Sequence, residues 1–128
     1  MSLSCIINFI GLSKVFRAEM LTILHFNDAY KLDPFKNEPA AGFPRFATSW
    51  LSEAPTAQLR LFSGDVFNPS LESTATQGKH MVDPLNALKL DAACIGNHDL
   101  DFGIDHCAKL TKMCNFPWLM ANILDKVR

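Results

Sequence analysis

An apolar run that stops at a polar turn, AACIGNH at residues 92–98, carries the clearest indication of the fold. Two similar segments precede it, LTILHFND at residues 21–28 and LRLFSGD at residues 59–65. Each begins with the apolar residues of a short buried strand and ends in turn-forming residues. The chain therefore contains three strand candidates of one design.

Helical patterns separate these strands. Apolar residues recur at helical spacing over residues 43–54, before Pro55, and over residues 81–88, where Pro84 falls in the first turn. A polar segment precedes the second of these helices; a third helix follows over residues 104–111 and a fourth strand over residues 117–123. Alternating strands and helices predict an α/β fold with parallel strands joined by right-handed crossovers.

Polar residues follow the three strands at a regular interval. Asp28, Asp65 and Asn97 stand at the strand ends, 37 and then 32 positions apart. A βαβ unit takes about 30 residues or more, so each interval fits one crossover. All three residues then lie at the carboxyl edge of one sheet, where open α/β sheets bind ligands.

The residue types at this edge suit metal-assisted chemistry. Two carboxylates, an amide and the imidazole of His98 are donors for zinc, manganese or magnesium. Asp101 follows His98 by three positions and can hold its imidazole in one tautomer for acid catalysis or phosphate stabilisation. Any one of these residues alone is more commonly a turn former, so the inference depends on the three strand ends together.

The composition is that of a folded globular chain of one ordinary domain. The chain has 128 residues, 48% of them hydrophobic and 20% charged, with a net charge of −1. This balance argues against a nucleic-acid partner, and no apolar run has the length of a membrane span. The four cysteines form no Cys-x-x-Cys pair, and Cys94, in an apolar run, is interpreted as a buried reduced thiol.

Residues 1–20 are interpreted as a poorly structured leader. Their apolar run at residues 5–12 is interrupted by Asn8, and the basic residues Lys14 and Arg17 follow the run instead of preceding it. A secretory signal has the opposite order, so an intracellular location is favoured over a secreted one.

Three blocks together resemble the 5′-nucleotidase branch of the calcineurin-like metallophosphoesterases. They are residues 21–28, residues 61–70 with Gly64-Asp65, and GNHDLDFG at residues 96–103, of which the last is the most specific. The resemblance extends from about Leu21 to about Leu124. It implies that residues 21–128 form the βαβαβ N-terminal half of a four-layer αββα sandwich.

The resemblance also implies a role for each residue of the site. Asp28 matches a ligand of the first metal, Asp65 the carboxylate that bridges two metals, and Asn97 a ligand of the second. His98 matches the histidine that stabilises the transition state, with Asp101 as its orienting partner. The implied cofactors are two divalent ions (zinc, manganese, magnesium or iron), and the implied substrate is a nucleotide or another phosphate ester.

Two features depart from the family pattern. Tyr30 stands where the family usually has the histidine of Asp-x-His, and it is either a phenolate ligand, as for ferric iron in the related purple acid phosphatases, or an aromatic packing residue. We favour packing, because a phenol ionises only near pH 10 without metal help. The family's later histidine and Gly-His-x-His block are also absent; His25 is interpreted as a packed or hydrogen-bonded strand residue, and His80 and His106 as surface residues.

These observations favour a metal-dependent 5′-nucleotidase-type hydrolase that has little or no activity as this chain alone, because each ion lacks donors. The alternatives are a non-catalytic binding or assembly module, and a phosphoesterase of another class, such as a cyclic phosphodiesterase or nucleotide-sugar hydrolase. One face of the predicted sheet would be left for a missing second half of the domain or for self-association.

Overall fold

Four short strands form one sheet in the computed structural model, which describes residues 20–34, 36, 37 and 42–123. They are β1 (Ile23–Phe26), β2 (Leu59–Phe62), β3 (Ala92–Cys94) and β4 (Trp118–Leu119), in that spatial order. Each neighbouring pair is parallel. The predicted α/β arrangement is confirmed, while the predicted leader lies outside the described residues apart from Met20.

The described helices are α1 (Phe43–Glu53), α2 (Leu71–Thr76), α3 (Val82–Ala87) and α4 (Ile104–Met113). Three of them lie where apolar periodicity predicts them. α2 lies in the segment predicted only as polar, because it has almost no apolar face: Leu71 is 87% exposed. Its stability comes instead from a capping box between Ser70 and Ser73, whose side chains each accept from the other's main-chain N–H.

The core lies between one face of the sheet and three helices. Strands in sequential order with crossovers of one hand place the connecting helices on the same face. Phe26 is the centre of this packing, with its ring centroid 4.6 Å from that of Phe62, 4.8 Å from Phe46 and 5.0 Å from Trp50. The core also contains buried residues of α3 and α4, among them Leu85 and Leu110.

The opposite face of the sheet is not covered by any described element. We call it the open face; it consists of Ile23, His25, Leu59, Leu61, Ala92, Cys94 and Leu119, which alternate with core residues and lie side by side in register. Leu59 is 37% and Leu119 52% exposed. An apolar surface of this kind is typical of an interaction surface.

The burial predicted for Cys94 is wrong. Cys94 is exposed because it follows Ala93, which faces the core, and successive side chains of a strand point to opposite faces. Among the described cysteines, Cys107 in α4 is the buried one, and burial raises the pKa of its thiol to about 11. Among the described helices, none is long and apolar enough to cross a membrane.

Candidate metal centre

The ends of β1, β2 and β3 meet at one edge of the sheet. The main-chain N–H of Asp28 donates to the carbonyl of Gly64 at 3.2 Å, and that of Ala29 to the carbonyl of Asp65 at 3.0 Å. The main-chain N–H of His98 donates to Oδ1 of Asp65 at 2.8 Å. The sequence-predicted residues from three separate strands are therefore adjacent, although their chemical roles stay predictions.

Both candidate carboxylate ligands have a left-handed backbone. Asp28 has a φ of 57° and Asp65 a φ of 65°. Aspartate is one of the few L-residues that adopts this region as a single residue, and residues held there concentrate at functional sites. The chain turns sharply out of the strand at each carboxylate, which takes the following residues over the sheet edge.

Glycine is required where the loops after β2 and β3 touch. A Cβ on Gly64 would lie 2.3 Å from the main-chain nitrogen of Gly96, and a Cβ on Gly96 would lie 2.1 Å from Oδ1 of Asp65. Real atoms do not approach so closely, so neither position has room for a side chain. The contact holds Asp65 beside the turn that carries His98.

The carboxylate of Asp99 joins these two loops through hydrogen bonds, and the sequence analysis did not predict this role. The residue is 1% exposed. Its carboxylate accepts the main-chain N–H groups of Asp65 at 2.9 Å, Val66 at 2.8 Å, Phe67 at 3.2 Å and Gly96 at 2.9 Å. A carboxylate that accepts four N–H groups compensates for its own burial and determines the path of both loops. Its place inside the Gly-Asn-His-Asp block was the only available signal.

His98 is oriented by a chain of side-chain hydrogen bonds. Its Nδ1 lies 2.8 Å from Oδ2 of Asp101, which also accepts from Nδ2 of Asn68 at 2.6 Å. Asn68 in turn accepts from the hydroxyl of buried Ser73 at 2.7 Å. An ionised carboxylate only accepts, so Nδ1 carries a proton and Nε2 is the nitrogen left to meet a substrate. Asn68 and Ser73 lie in the segment predicted only as polar.

The same bonds shift two pKa values in opposite directions. The hydrogen bond to Asp101 raises the pKa of His98 above its ordinary value. Asn68 first, and then His98, lower the pKa of the Asp101 carboxyl. Both shifts favour the imidazolium–carboxylate pair, which suits His98 for contact with an anionic group.

Tyr30 reaches the site through its hydroxyl, which donates to Oδ1 of Asp28 at 2.6 Å. Its ring lies edge-on to that of His98, with centroids 5.9 Å apart and an interplanar angle of 88°. Burial, the bond to Asp28 and nearby carboxylates raise the pKa of the Tyr30 phenol. The amide of Asn27 donates to the other oxygen of Asp28.

The other histidines of the chain take part in local hydrogen bonds outside this site. Nε2 of His25 lies 2.6 Å from the hydroxyl of Ser63, as expected for a hydrogen-bonded strand residue. His80 and His106 are at the predicted helical starts and are partly buried. Nε2 of His106 donates to the carbonyl of Gln77 at 2.8 Å.

The donors present fit one side of a divalent-ion site. Asp28, Asp65 and Asn97 offer two carboxylates and an amide, the hard oxygen donors that such ions prefer. Among the described residues, no group of three or more histidine, cysteine, aspartate or glutamate side chains could hold a metal ion. These three residues would therefore leave coordination positions for water or for further protein donors.

Comparison with known proteins finds relatives that are named 5′-nucleotidase or calcineurin-like phosphoesterase. No family model matches the chain. The 5′-nucleotidase of Bos taurus is 33% identical over 119 residues, which cover 83% of this chain and 21% of that protein. The solved NAD nucleotidase of Haemophilus influenzae superposes with a TM-score of 0.71 at 28% identity, over 83% of this chain and 21% of that one. A calcineurin-like phosphoesterase of Bacillus subtilis superposes with a TM-score of 0.60 at 21% identity, over 77% and 36% of the two chains, and shows the fold alone.

The fold is that of the calcineurin-like metallophosphoesterases. In sequence, the chain matches the N-terminal part of 5′-nucleotidases over 83% of its length. The chain spans about a fifth of the length of the curated relatives, 21% for the bovine protein. The predicted family and fold class are thereby confirmed.

Proposed function

We propose that the chain carries the N-terminal part of the catalytic site of a phosphate-ester hydrolase of 5′-nucleotidase type, which converts a nucleoside monophosphate to a nucleoside and phosphate. The main observation behind the proposal is that the carboxylate of Asp99 accepts four main-chain hydrogen bonds. These bonds hold Asp65 beside the turn that contains His98. The names of the related proteins support a nucleotide as the substrate.

Asp28, Asp65 and Asn97 would hold the divalent ions at this edge. Such ions stabilise charge on phosphoryl oxygens and lower the pKa of a water molecule that attacks phosphorus. His98 presents Nε2 toward the substrate because Nδ1 is bonded to Asp101. A histidine that a carboxylate holds in one orientation is suited to contact with a phosphate oxygen.

The open face supports a further part of the proposal. The second half of a sandwich would cover this apolar surface and bring the remaining metal donors, so we expect the isolated chain to hydrolyse phosphate esters slowly or not at all. Expressed alone, the chain should self-associate through the same surface. A monodisperse monomer in sizing experiments would contradict this expectation.

A non-catalytic binding or assembly module is the second candidate. Tyr30 favours it, because Tyr30 occupies a position where a histidine is usual in the family. The intact pair of His98 and Asp101, at 2.8 Å, favours catalysis. Among phosphoesterases, none of the described residues distinguishes a nucleoside monophosphate from a cyclic nucleotide or a nucleotide sugar.

A chimera separates these candidates. Residues 20–123 of this chain would replace the matching segment of the bovine 5′-nucleotidase, and phosphate release from AMP would be measured with Mn²⁺ present. We expect metal-dependent release that His98→Asn reduces by about 10²-fold or more, the usual contribution of a positioned acid–base group. His106→Asn is the matched control, because this histidine is bonded to Gln77 outside the site.

The outcome that contradicts a catalytic role is a folded chimera whose phosphate release equals that of its His98→Asn variant. The purified chain alone provides a second test with the same substrate. Robust metal-dependent hydrolysis by the chain would show that its own donors suffice and would overturn the proposal of an incomplete site.

A further inference from the structure

Asp28 differs from the other candidate ligands in how its side chain is held. Its backbone is bonded to the loop after β2, but the residue itself is exposed. Hydrogen bonds from Tyr30 and Asn27, both in its own loop, orient the two carboxylate oxygens. An exposed carboxylate without such donors rotates freely and loses that freedom when it binds an ion.

We propose that Tyr30 is a positioning residue, which orients Asp28 for a divalent ion by donating a hydrogen bond and does not itself ligate the ion. The inference rests on the metal site of the proposed function. It concerns a position where this chain has a residue that the resemblance did not predict. It rejects the interpretation of Tyr30 as a ligand, and it adds a hydrogen bond to Asp28 to the interpretation of Tyr30 as a packing residue.

The geometry favours a donor over a ligand. A separation of 2.6 Å between the Tyr30 hydroxyl and Oδ1 of Asp28 is that of a short O–H···O⁻ hydrogen bond. The proton of the hydroxyl is used in this bond. A phenolate ligand would have to give the bond up and place a second negative oxygen beside Asp28.

The bond does not block Asp28 from an ion. Each carboxylate oxygen has about two acceptor positions, and Oδ1 and Oδ2 each accept one described donor. One position on each oxygen therefore stays available. A donor outside the coordination shell that leaves the ligand oxygen accessible fixes its direction, and removal of such a partner typically lowers metal affinity about 10–100-fold.

The Tyr30 ring has a fixed position from which to donate. The ring is edge-on to the His98 ring, with 5.9 Å between the centroids. Phenylalanine can retain this contact, so Tyr30→Phe removes the hydrogen bond and leaves the ring packing. The variant therefore tests orientation separately from folding.

The test is calorimetric titration of the full chain with Mn²⁺, for wild type, Tyr30→Phe and Ser63→Ala. We expect Tyr30→Phe to weaken binding about 10–100-fold with an unchanged melting temperature. Ser63→Ala is the matched control, because it removes a hydroxyl in a bond of 2.6 Å to His25 on the open face, and it should leave the affinity unchanged. Equal or tighter binding by Tyr30→Phe would overturn the proposal.

Tyr30 is the single tyrosine of the chain, so a tyrosinate band in an ultraviolet difference spectrum can come only from it. We expect Mn²⁺ or Zn²⁺ to produce no tyrosinate band in wild type, whereas a band that grows with saturation would show direct ligation and overturn the proposal. Absence of Mn²⁺ binding by wild type would refute the metal site and this inference together. Binding by wild type with no effect of Tyr30→Phe would refute only the inference.

Discussion

The loops after β2 and β3 are built differently from the loop after β1, although all three contribute to one site. The loops after β2 and β3 are joined by the buried carboxylate of Asp99, and they touch at Gly64 and Gly96, where there is no room for a Cβ. The loop after β1 is joined to them by two main-chain hydrogen bonds, and its ligand candidate Asp28 is exposed. One side of the site is therefore fixed by the interior of the fold, and the other depends on surface side chains that can change without loss of the fold.

The largest loss of stability is expected for Asp99→Asn, which removes hydrogen bonds between the loops after β2 and β3. An amide has one acceptor oxygen in place of two, so about two of the four N–H groups lose their partner. At about 1–3 kcal/mol for each unsatisfied group, the free energy of unfolding should fall by about 2–6 kcal/mol. Urea denaturation measures it, with Asp33→Asn, the same change at an exposed position, as the control. A loss equal to that of the control would contradict the role of Asp99.

Gly96→Ala should have the next largest effect. Its Cβ would displace Oδ1 of Asp65, and overpacking of this kind costs about 1–3 kcal/mol. Gly103→Ala is the contrasting variant: its φ of 89° and ψ of 155° strain an L-residue by about 1–3 kcal/mol, but no atom lies within 4 Å of its Cβ. Both variants should melt at lower temperature, and only Gly96→Ala should also weaken Mn²⁺ binding. Equal Mn²⁺ affinities in the two variants would show that the loop contact does not position Asp65.

A smaller effect, on Mn²⁺ affinity, is expected for Asn27→Ala in the exposed loop after β1. The variant removes one neutral donor from Asp28 and keeps the hydroxyl of Tyr30. A hydrogen bond of this kind contributes about 0.5–1.5 kcal/mol, so Mn²⁺ affinity should fall about two- to tenfold with little change in stability. A loss of stability as large as that of Asp99→Asn would remove the contrast between the two sides.

The smallest effect on stability should come from Asp101→Asn, because His98 and Asp101 are exposed and solvent screens the pair. The pKa of His98 should fall toward its ordinary value of 6.5, and NMR titration of the imidazole measures it. Asp105→Asn is the control, since Asp105 is not a described partner of His98. An unchanged pKa of His98 in Asp101→Asn would show that another group causes the shift.

The sign of the pH dependence follows from both shifts. The raised pKa of His98 contributes stability that is complete below 6.5 and is lost as pH rises through the folded-state value. The lowered pKa of Asp101 contributes stability that is complete above 3.8 and is lost as pH falls through its folded-state value. The pair should therefore stabilise the chain most between these two ordinary values, and Asp101→Asn should remove that maximum.

The sequence was sufficient to predict those features of the fold that depend on local residue patterns. Strand ends, interval lengths and residue chemistry were enough to predict the parallel sheet and the meeting of Asp28, Asp65 and His98 at one edge. It missed α2, since capping by Ser70 and Ser73 stabilises this helix without an apolar period. It misplaced Cys94 because a run of three strand residues has too few alternations to show which side faces the core.

The hydrogen bonds and backbone conformations that support the site could not be predicted from the sequence pattern. Asp99 acts through main-chain groups of residues more than thirty positions away, and hydrogen bonds of that kind leave no periodicity in the sequence. The left-handed backbone of Asp28 and Asp65 likewise follows from how the loops meet. Aspartate tolerates that conformation but does not require it.

If the ends of β1, β2 and β3 form one side of a divalent-ion site, binding of the ion should depend on Asp65. Asp65→Asn keeps an oxygen that can accept from the main chain of His98, so the fold should persist. In a calorimetric titration of the full chain with Mn²⁺, we predict saturable binding by wild type and by Asp33→Asn, and loss of that binding in Asp65→Asn. Equal binding by wild type and Asp65→Asn, or no binding by wild type, would contradict the account.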